Sequence, residues 1–574
     1  MTSGAGRLGP AEREASIARL RATDAEPLDV LVIGGGVVGT GAALDAATRG
    51  LAIGLIEQRD FASGTSSRSS KLVHGGIRYL EQLDFPLVRE ALIERGLLLQ
   101  RVAPHLVRPV RFLYPLKTPL VERLYIGAGM TLYDLFSWTG GRAPGVPHHR
   151  HLSRRQLARA VPSLRLDAFV GGLVYYDGQV DDARLVSTLA RTAAAYGASV
   201  VNRVKAEGLL VEDGAVVGVR ALDLMSHERF EIRARRVVTA TGVWTDDTLH
   251  DVGAAQSIRV RASKGVHLVV PRSRFRSKIG LLLRTEKSVL FVIPWGAHWL
   301  IGTTDTDWEL DKAHPAATAA DIDYLLAHVN SVLATPLTRD DVEGVYAGLR
   351  PLLAGESDET SKLSREHLVV RPRPGLVAIA GGKLTTYRVM GKDAIDAAVA
   401  DLDGAPPSVT VDIPLLGADG YPAARNRRTR LARSMGLPLA QIDRLLERYG
   451  ALIDDLAALV AARPELAAEL PGTEYLGAEV VYAVTHEGAL HLDDVLTRRT
   501  RASIEAWDRG VAAAPVVAQL MAEALGWDRE RAAREVSAYL ERVAAERASQ
   551  LQPDDESADR VRLTARDVFG ETGG

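Results

Sequence analysis

The chain is most constrained by a glycine cluster near its start. Leu31-Val32-Ile33 runs into Gly34-Gly35-Gly36-Val37-Val38-Gly39, and Glu57 closes the next apolar run. The pattern predicts a strand over 29–33, a tight turn, a helix over 37–48 and a second strand over 52–56. Gly34 permits the turn, Gly36 lets the backbone approach a pyrophosphate, and Gly39 lets helix and strand pack closely. The helix start offers N–H groups and the positive end of a dipole to phosphates. Glu57 is placed to accept a hydrogen bond from a ribose 2′-hydroxyl and would repel a phosphate there, so FAD or NAD fits better than NADP. A glycine pattern alone is weak; strand, helix, strand and acid in register carry the reading.

The 574 residues are enough for two or three domains with substantial cores, and a hydrophobic fraction of 47% suits a globular chain. A net charge of −2 implies no polyanion-binding surface, hence no nucleic-acid partner. The absence of cysteine excludes disulfides, Fe–S clusters, a redox-active thiol pair and a cysteine nucleophile. It fits a reducing cytoplasm, although absence is compatible with any compartment. Arg13, Arg19 and Arg21 interrupt any signal-peptide core. With no run of about 18 apolar residues, no transmembrane helix is expected.

Residues 1–27 read as a mobile arm with one short amphipathic helix. Helices are predicted over 86–102, 185–196 and 319–334, and strands over 199–204, 236–240 and 376–380. A hairpin flanks Glu212-Asp213-Gly214. The strands of one nucleotide-binding sheet are therefore scattered over residues 28 to 400, with another domain inserted between them. The partition assigns 28–104, 166–260 and 346–404 to the cofactor domain, and 105–165 with 261–345 to a substrate domain. Pro406, Pro407 and Pro414 mark a linker, 405–550 has helical periodicity, and 551–574 reads as a polar tail.

Five short segments carry polar groups suited to chemistry. Ser66, Ser67 and Ser70 sit in a donor-rich loop able to close over a pyrophosphate. In Lys71-Leu72-Val73-His74-Gly75-Gly76-Ile77-Arg78-Tyr79, two glycines allow close approach to a ring, and His74, Arg78 and Tyr79 project polar groups from one turn. In Tyr346-Ala347-Gly348-Leu349-Arg350-Pro351-Leu352 the backbone of Arg350 is fixed between glycine and proline, and Arg365 follows. Guanidinium forks match phosphate or carboxylate oxygens. Taken alone, these arginines read equally well as surface groups paired with Glu356 or Asp358. Gly381-Gly382-Lys383-Leu384-Thr385-Thr386 lies at a strand end opening a helix, where N–H groups meet anionic oxygens. Lys264, just before a strand, could reach an anionic substrate. His148, His149 and His151 form a His-rich loop without carboxylate or cysteine partners, so no metal is expected. Asp181-Asp182 reads as a solvated helix start.

SSKLVHGGIRYLE (69–81), IGTTDTD (301–307), YAGLRPL (346–352) and GGKLTTYR (381–388), in this order, resemble the FAD-dependent, quinone-linked sn-glycerol-3-phosphate dehydrogenases over nearly the whole chain. The resemblance implies an α/β and α+β architecture: a glutathione-reductase-like, Rossmann-type FAD domain, an inserted antiparallel-sheet substrate domain and an all-helical C-terminal domain. It implies hydride transfer from C2 of sn-glycerol 3-phosphate to N5 of non-covalent FAD, giving dihydroxyacetone phosphate. Arg78, Arg350, Arg365 and Lys383 would hold the substrate, with His74, Tyr79 and Lys264 lining the same cavity. Gly34, Gly36, Gly39, Glu57, Ser66, Ser67, Ser70, Val204, Gly242, Gly382, Leu384 and Thr385 would hold the cofactor. Asp305, in the GTTD stretch, receives no catalytic role. The proton acceptor stays open between His74, slightly favoured, a lysine of lowered pKa and an arginine that acidifies the hydroxyl.

Electrons would pass to membrane quinone from a protein held peripherally on the cytoplasmic side. Residues 105–138, with basic groups beside aromatics and leucines, suit a lipid interface. A homodimer stays open. The rival readings are a soluble oxidase forming peroxide, an amino-acid oxidase of the same fold, and a non-catalytic flavin-bound membrane protein.

Overall fold

The computed structural model describes residues 5–81, 83–138, 145–251, 258–285, 289–354, 366–402 and 404–565, with the side chains of Arg78 and Glu81 outside the description. Two sheets organise it. The first runs in the order His367–Arg373, Leu376–Gly381, Glu228–Thr239, Leu28–Ile33, Ile53–Glu57, Ser199–Asn202. Its inner strands are parallel, the strand at the His367 edge is antiparallel, and the first half of Glu228–Thr239 leaves this row to pair antiparallel with Ala215–Asp223. Parallel strands buried on both faces demand near-continuous apolar runs, which is what residues 30–33 and 376–380 supply. Helices Val37–Thr48, Asp182–Ala195 and Tyr387–Val399 cover one face. The hairpin Val204–Glu212 with Ala215–Asp223 and the helix Pro10–Arg21 cover the other.

That last helix corrects an expectation. The N-terminal segment is no mobile arm: Leu20 is fully buried, and Arg13 reaches Asp223 at 2.7 Å. Its polar sequence hides the docking because only three residues of the helix, Ser16, Ile17 and Leu20, are buried.

The second sheet is mainly antiparallel and holds ten strands. Val260–Pro271 lies between His298–Gly302 and Gly344–Leu353, while Arg108–Leu116 and Gly171–Gln179 form the far half with Leu72–Val73. Three strands assigned to the cofactor domain from sequence, namely Leu72–Val73, Gly171–Gln179 and most of Gly344–Leu353, therefore belong here. The chain crosses between the sheets more often than composition shows. Helix Ala319–Asn330 packs on one face, and helices Phe85–Leu97 and Val121–Trp138 pack on the other.

Beyond residue 420 the chain is helical, from Tyr421–Asn426 to Asp555–Arg562, around two apolar clusters. The expected polar tail is docked as far as it is described. Ala558 is fully buried, and Asp555 pairs with Lys264 of the second sheet.

Candidate active site

A cavity of about 810 Å³ opens at the carboxyl ends of the parallel strands, with the second sheet across from it. Such an edge is where open α/β sheets bind ligands. At one end lie Gly34, Gly36, Glu57, Ser66, Val204 and Gly242. Gly34 has φ +115°, and a Cβ there would fall 2.5 Å from the carbonyl of Ala240. A Cβ on Gly39 would fall 1.9 Å from the Gly34 carbonyl, which is the close helix–strand packing the fingerprint requires. Gly39 thus shapes the turn without lining the cavity. The helix start at Gly36 carries no side-chain cap from its own N-cap residue. Instead Val37 N donates to Ser66 Oγ at 3.0 Å.

Glu57 accepts from Gly35 N at 2.6 Å and from Arg59 N at 2.7 Å. Burial pushes its carboxyl above the usual range, against those two hydrogen bonds. Each oxygen keeps a lone pair for a ribose hydroxyl. This end fits the adenosine and pyrophosphate of a dinucleotide.

At the other end the walls are His74, Arg350, Gly382, Lys383, Leu384 and Thr385, joined by Ser70 and His267. His74 and Thr385 are tied at both backbone atoms: His74 N donates to Thr385 Oγ1 at 3.0 Å, and that hydroxyl returns to His74 O at 3.1 Å. Two motifs 311 residues apart are thereby fastened together. Lys383 Nζ sits 3.9 Å from the centre of the Tyr79 ring, a cation–π contact. Tyr79 supports that lysine from behind and does not itself line the cavity. Arg350 is held by Asp305 at 3.2 Å, Thr303 Oγ1 and the Thr304 carbonyl at 3.1 Å, and Ser263 Oγ at 3.3 Å. Asp305 therefore acts by positioning Arg350.

Four expected site residues fall elsewhere or beyond view. Lys264 is buried on the opposite face of its strand, with Nζ 2.7 Å from Asp321 and paired also to Asp555. Alternation along Val260–Pro271 is the reason: Gly265 and His267 line the cavity, so the residue between Ser263 and Gly265 must point away. Ser67 turns its carbonyl to Lys71 Nζ at 3.1 Å and Arg501 Nη1 at 3.2 Å, away from the cofactor cavity. Arg365 lies outside the described residues, as does the side chain of Arg78.

His267 is the residue that sequence reasoning missed. Its Nε2 is 2.9 Å from Ser70 Oγ, and its ring stacks on Tyr346 at 4.8 Å. Burial, reinforced by the charges of Arg350 and Lys71, pushes its pKa well below the usual histidine range, so the imidazole is neutral. The signal lay in the same alternation that misdirected Lys264.

Two side readings also change. Asp181 and Asp182 are not solvated; Asp182 is fully buried between Lys71, at 2.8 Å, and Arg501. The His-rich loop does have a carboxylate, since Asp134 lies 2.7 Å from His149 Nδ1. Among the described residues no cluster of three or more metal-ligating side chains occurs.

A dinucleotide cleft at the edge of a parallel sheet, faced by a second sheet bearing fixed cations, defines a two-domain nucleotide-dependent oxidoreductase. Residues 29–396 match the family of FAD dependent oxidoreductases, and residues 408–532 match the C-terminal domain of alpha-glycerophosphate oxidase. The chain is 57% identical over 565 residues to a glycerol-3-phosphate dehydrogenase of Mycobacterium leprae, covering 98% of this chain and 95% of the relative. It is 55% identical to glycerol-3-phosphate dehydrogenase 2 of Mycobacterium tuberculosis, covering 99% and 96%. Among solved structures, the glycerol-3-phosphate dehydrogenase from Bacillus halodurans complexed with FAD superposes with a TM-score of 0.76 at 31% identity, over 94% of this chain and 97% of that one. The chain belongs to the FAD-dependent oxidoreductase family, and FAD is its cofactor. The last two helices, beyond residue 549 and for most of Arg529–Ser549, extend past the matched C-terminal domain.

Proposed function

We propose that this flavoprotein oxidises sn-glycerol 3-phosphate to dihydroxyacetone phosphate and passes the electrons to a membrane quinone. The observation that carries the reading is the convergence of Arg350, Lys383, His74 and His267 on one end of the cofactor cavity. Bound FAD supplies the hydride acceptor, at N5 of its ring. Arg350, held by Asp305, Thr303, Thr304 and Ser263, grips oxygens of the phosphate ester, and Lys383, braced on Tyr79, stabilises the alkoxide developing at C2. Orientation of C2 follows from those two anchors.

The C2 hydroxyl proton needs an acceptor. A protonated His267 is disfavoured by burial and by the charge of Arg350, so it is a poor place to leave a proton. This favours His74, whose main chain is clamped by Thr385.

The test is anaerobic addition of glycerol 3-phosphate to the purified holoprotein. Loss of the visible flavin colour is expected; colour that persists would refute the substrate. Measuring peroxide against reduction of a quinone analogue separates the dehydrogenase from the oxidase reading.

The membrane side of the proposal is supported by helix Val121–Trp138. Val121, Leu124, Tyr125, Leu135 and Trp138 form one exposed stripe, with Leu124 65% and Trp138 49% accessible. Among the described residues no helix is long and apolar enough to cross a membrane. A stripe with Lys117 just before it, its backbone N–H bonded to Glu122 in the first turn, suits a helix lying in the lipid interface.

A further inference from the structure

The His-rich segment does not line the cofactor cavity; it runs along helix Val121–Trp138. His148 stacks its ring on Trp138, with centroids 5.9 Å apart. The backbone N–H of His149 donates to Asp134 at 2.9 Å, and its Nδ1 lies 2.7 Å from the same carboxylate. His151 Nδ1 accepts from Arg123 at 3.5 Å, since a guanidinium can only donate. Its ring lies against Gly127, where a Cβ would fall 3.2 Å from Cε1. At 3.6 residues per turn, Arg123, Gly127, Asp134 and Trp138 fall on one flank of the helix. That flank borders the exposed stripe and ends on its last residue, Trp138. Three histidines thus follow the edge of the apolar face, the level at which phospholipid headgroups meet a helix lying in the interface.

The fixed charges around them are mostly positive. Helix Val121–Trp138 brings Arg123 and Asp134, and the segment itself carries Arg150. Strand Gly171–Gln179 meets Arg150 and His151 with Val174 and Leu173, which carry no charge. The following helix, Arg154–Ala160, adds Arg154, Arg155 and Arg159, of which Arg154 donates to the Leu166 carbonyl at 3.1 Å. Asp134, also 3.5 Å from His148 Nδ1, is the one carboxylate within ion-pair distance of the histidines among the described residues.

We propose that His148, His149 and His151 form a rim for anionic phospholipid headgroups that strengthens as pH falls. The proposal rests on the lipid reading of the exposed stripe and adds to it the class of lipid and a control by acidity. Histidine is the side chain whose charge changes between about pH 5 and 8. Each proton taken up adds a positive charge to this edge, and a cation near an anionic lipid surface strengthens binding about fivefold. Partial burial, then the charges of Arg123 and His149, hold His151 below the usual histidine range, so its share of the response comes toward the acid end.

The experiment is cosedimentation of the holoprotein with vesicles of phosphatidylcholine, alone or mixed with phosphatidylglycerol, at about pH 7.5 and about pH 6. It compares wild type, the triple variant His148→Gln/His149→Gln/His151→Gln, Asp134→Asn, and His328→Gln, a control on helix Ala319–Asn330 across the second sheet. Wild type and the control should bind the phosphatidylglycerol vesicles about tenfold more tightly at the lower pH, and the triple variant should lose that gain. Vesicles of phosphatidylcholine alone should show no dependence on pH. Asp134→Asn removes a negative charge without any titration and should bind the anionic vesicles more tightly already at about pH 7.5. A gain on acidification that persists in the triple variant or appears equally on phosphatidylcholine alone, or wild-type binding that is the same at both pH values, overturns the rim and leaves the lipid stripe standing. Absence of vesicle binding by wild type under both conditions overturns stripe and rim together. Should the triple variant fail to fold, Asp134→Asn decides, and an unchanged affinity for the anionic vesicles refutes the rim.

Discussion

The guanidinium of Arg350 is held at four points by Ser263, Thr303, Thr304 and Asp305, so its orientation is set before a substrate arrives. A fixed charge loses little entropy on binding. Arg350→Ala should raise KM for glycerol 3-phosphate about 10- to 100-fold while changing the oxidation of unphosphorylated glycerol far less. Steady-state kinetics on both substrates decide it, and equal loss on both would remove the phosphate role. Lys264 provides the opposite case. Its ammonium and Asp321 are both buried, and truncating one partner of such a pair costs about 3–5 kcal/mol. Lys264→Ala should therefore lower the urea midpoint and leave KM of the folded enzyme near wild type; a large KM change at unaltered stability would return Lys264 to the substrate. At this scale the sequence showed which residue types gather and misjudged which way one of them faces. The motif KGVH reads as a cluster, but a strand sends its first and fourth residues, Lys264 and His267, to opposite sides.

Whole elements were legible where hydrophobic periodicity is strong. The first strand, its helix and the acid-terminated second strand stand where the glycine fingerprint puts them. Leu376–Gly381 and helix Asp182–Ala195 likewise follow their apolar patterns. Elements docked by ion pairs were illegible. Helices Pro10–Arg21 and Asp555–Arg562 read as solvated because Arg–Asp and Lys–Asp contacts do not register in hydropathy. Residues 105–138 were legible as basic groups beside aromatics and leucines, yet only the structure shows the helix Val121–Trp138 and its leucine and tryptophan stripe, uncovered in the single chain. Replacing Leu124 and Leu135 together by Asp should abolish cosedimentation with anionic vesicles and spare turnover with a water-soluble acceptor. Retained vesicle binding would assign that stripe to another partner.

Over the whole molecule, buried charge joins the helical domain to the cofactor domain. Asp60 accepts from Arg498 at 2.5 Å and from Arg499 at 2.7 Å, and Arg203 meets Asp494 at 2.6 Å. The cofactor cavity thus includes a C-terminal wall that no local motif announced. Buried histidines give this assembly an acid limit. Burial holds His105 and His486 down to about 3 in the folded chain, against 6.5 as the ordinary value. Below about pH 6.5 the unfolded chain takes up protons that the native one refuses, so stability falls on acidification. Urea midpoints should drop between neutral pH and about pH 5, and His105→Gln should make the drop shallower; an identical slope would exclude that histidine. The strand order carries a consequence for synthesis. Leu28–Ile33 meets Ile53–Glu57 almost at once, but its other neighbour, Glu228–Thr239, follows some two hundred positions later. At about 5–20 residues per second, a nascent chain leaves that apolar edge bare for about 10–40 s, long enough for a chaperone to find it before its permanent partner has been made.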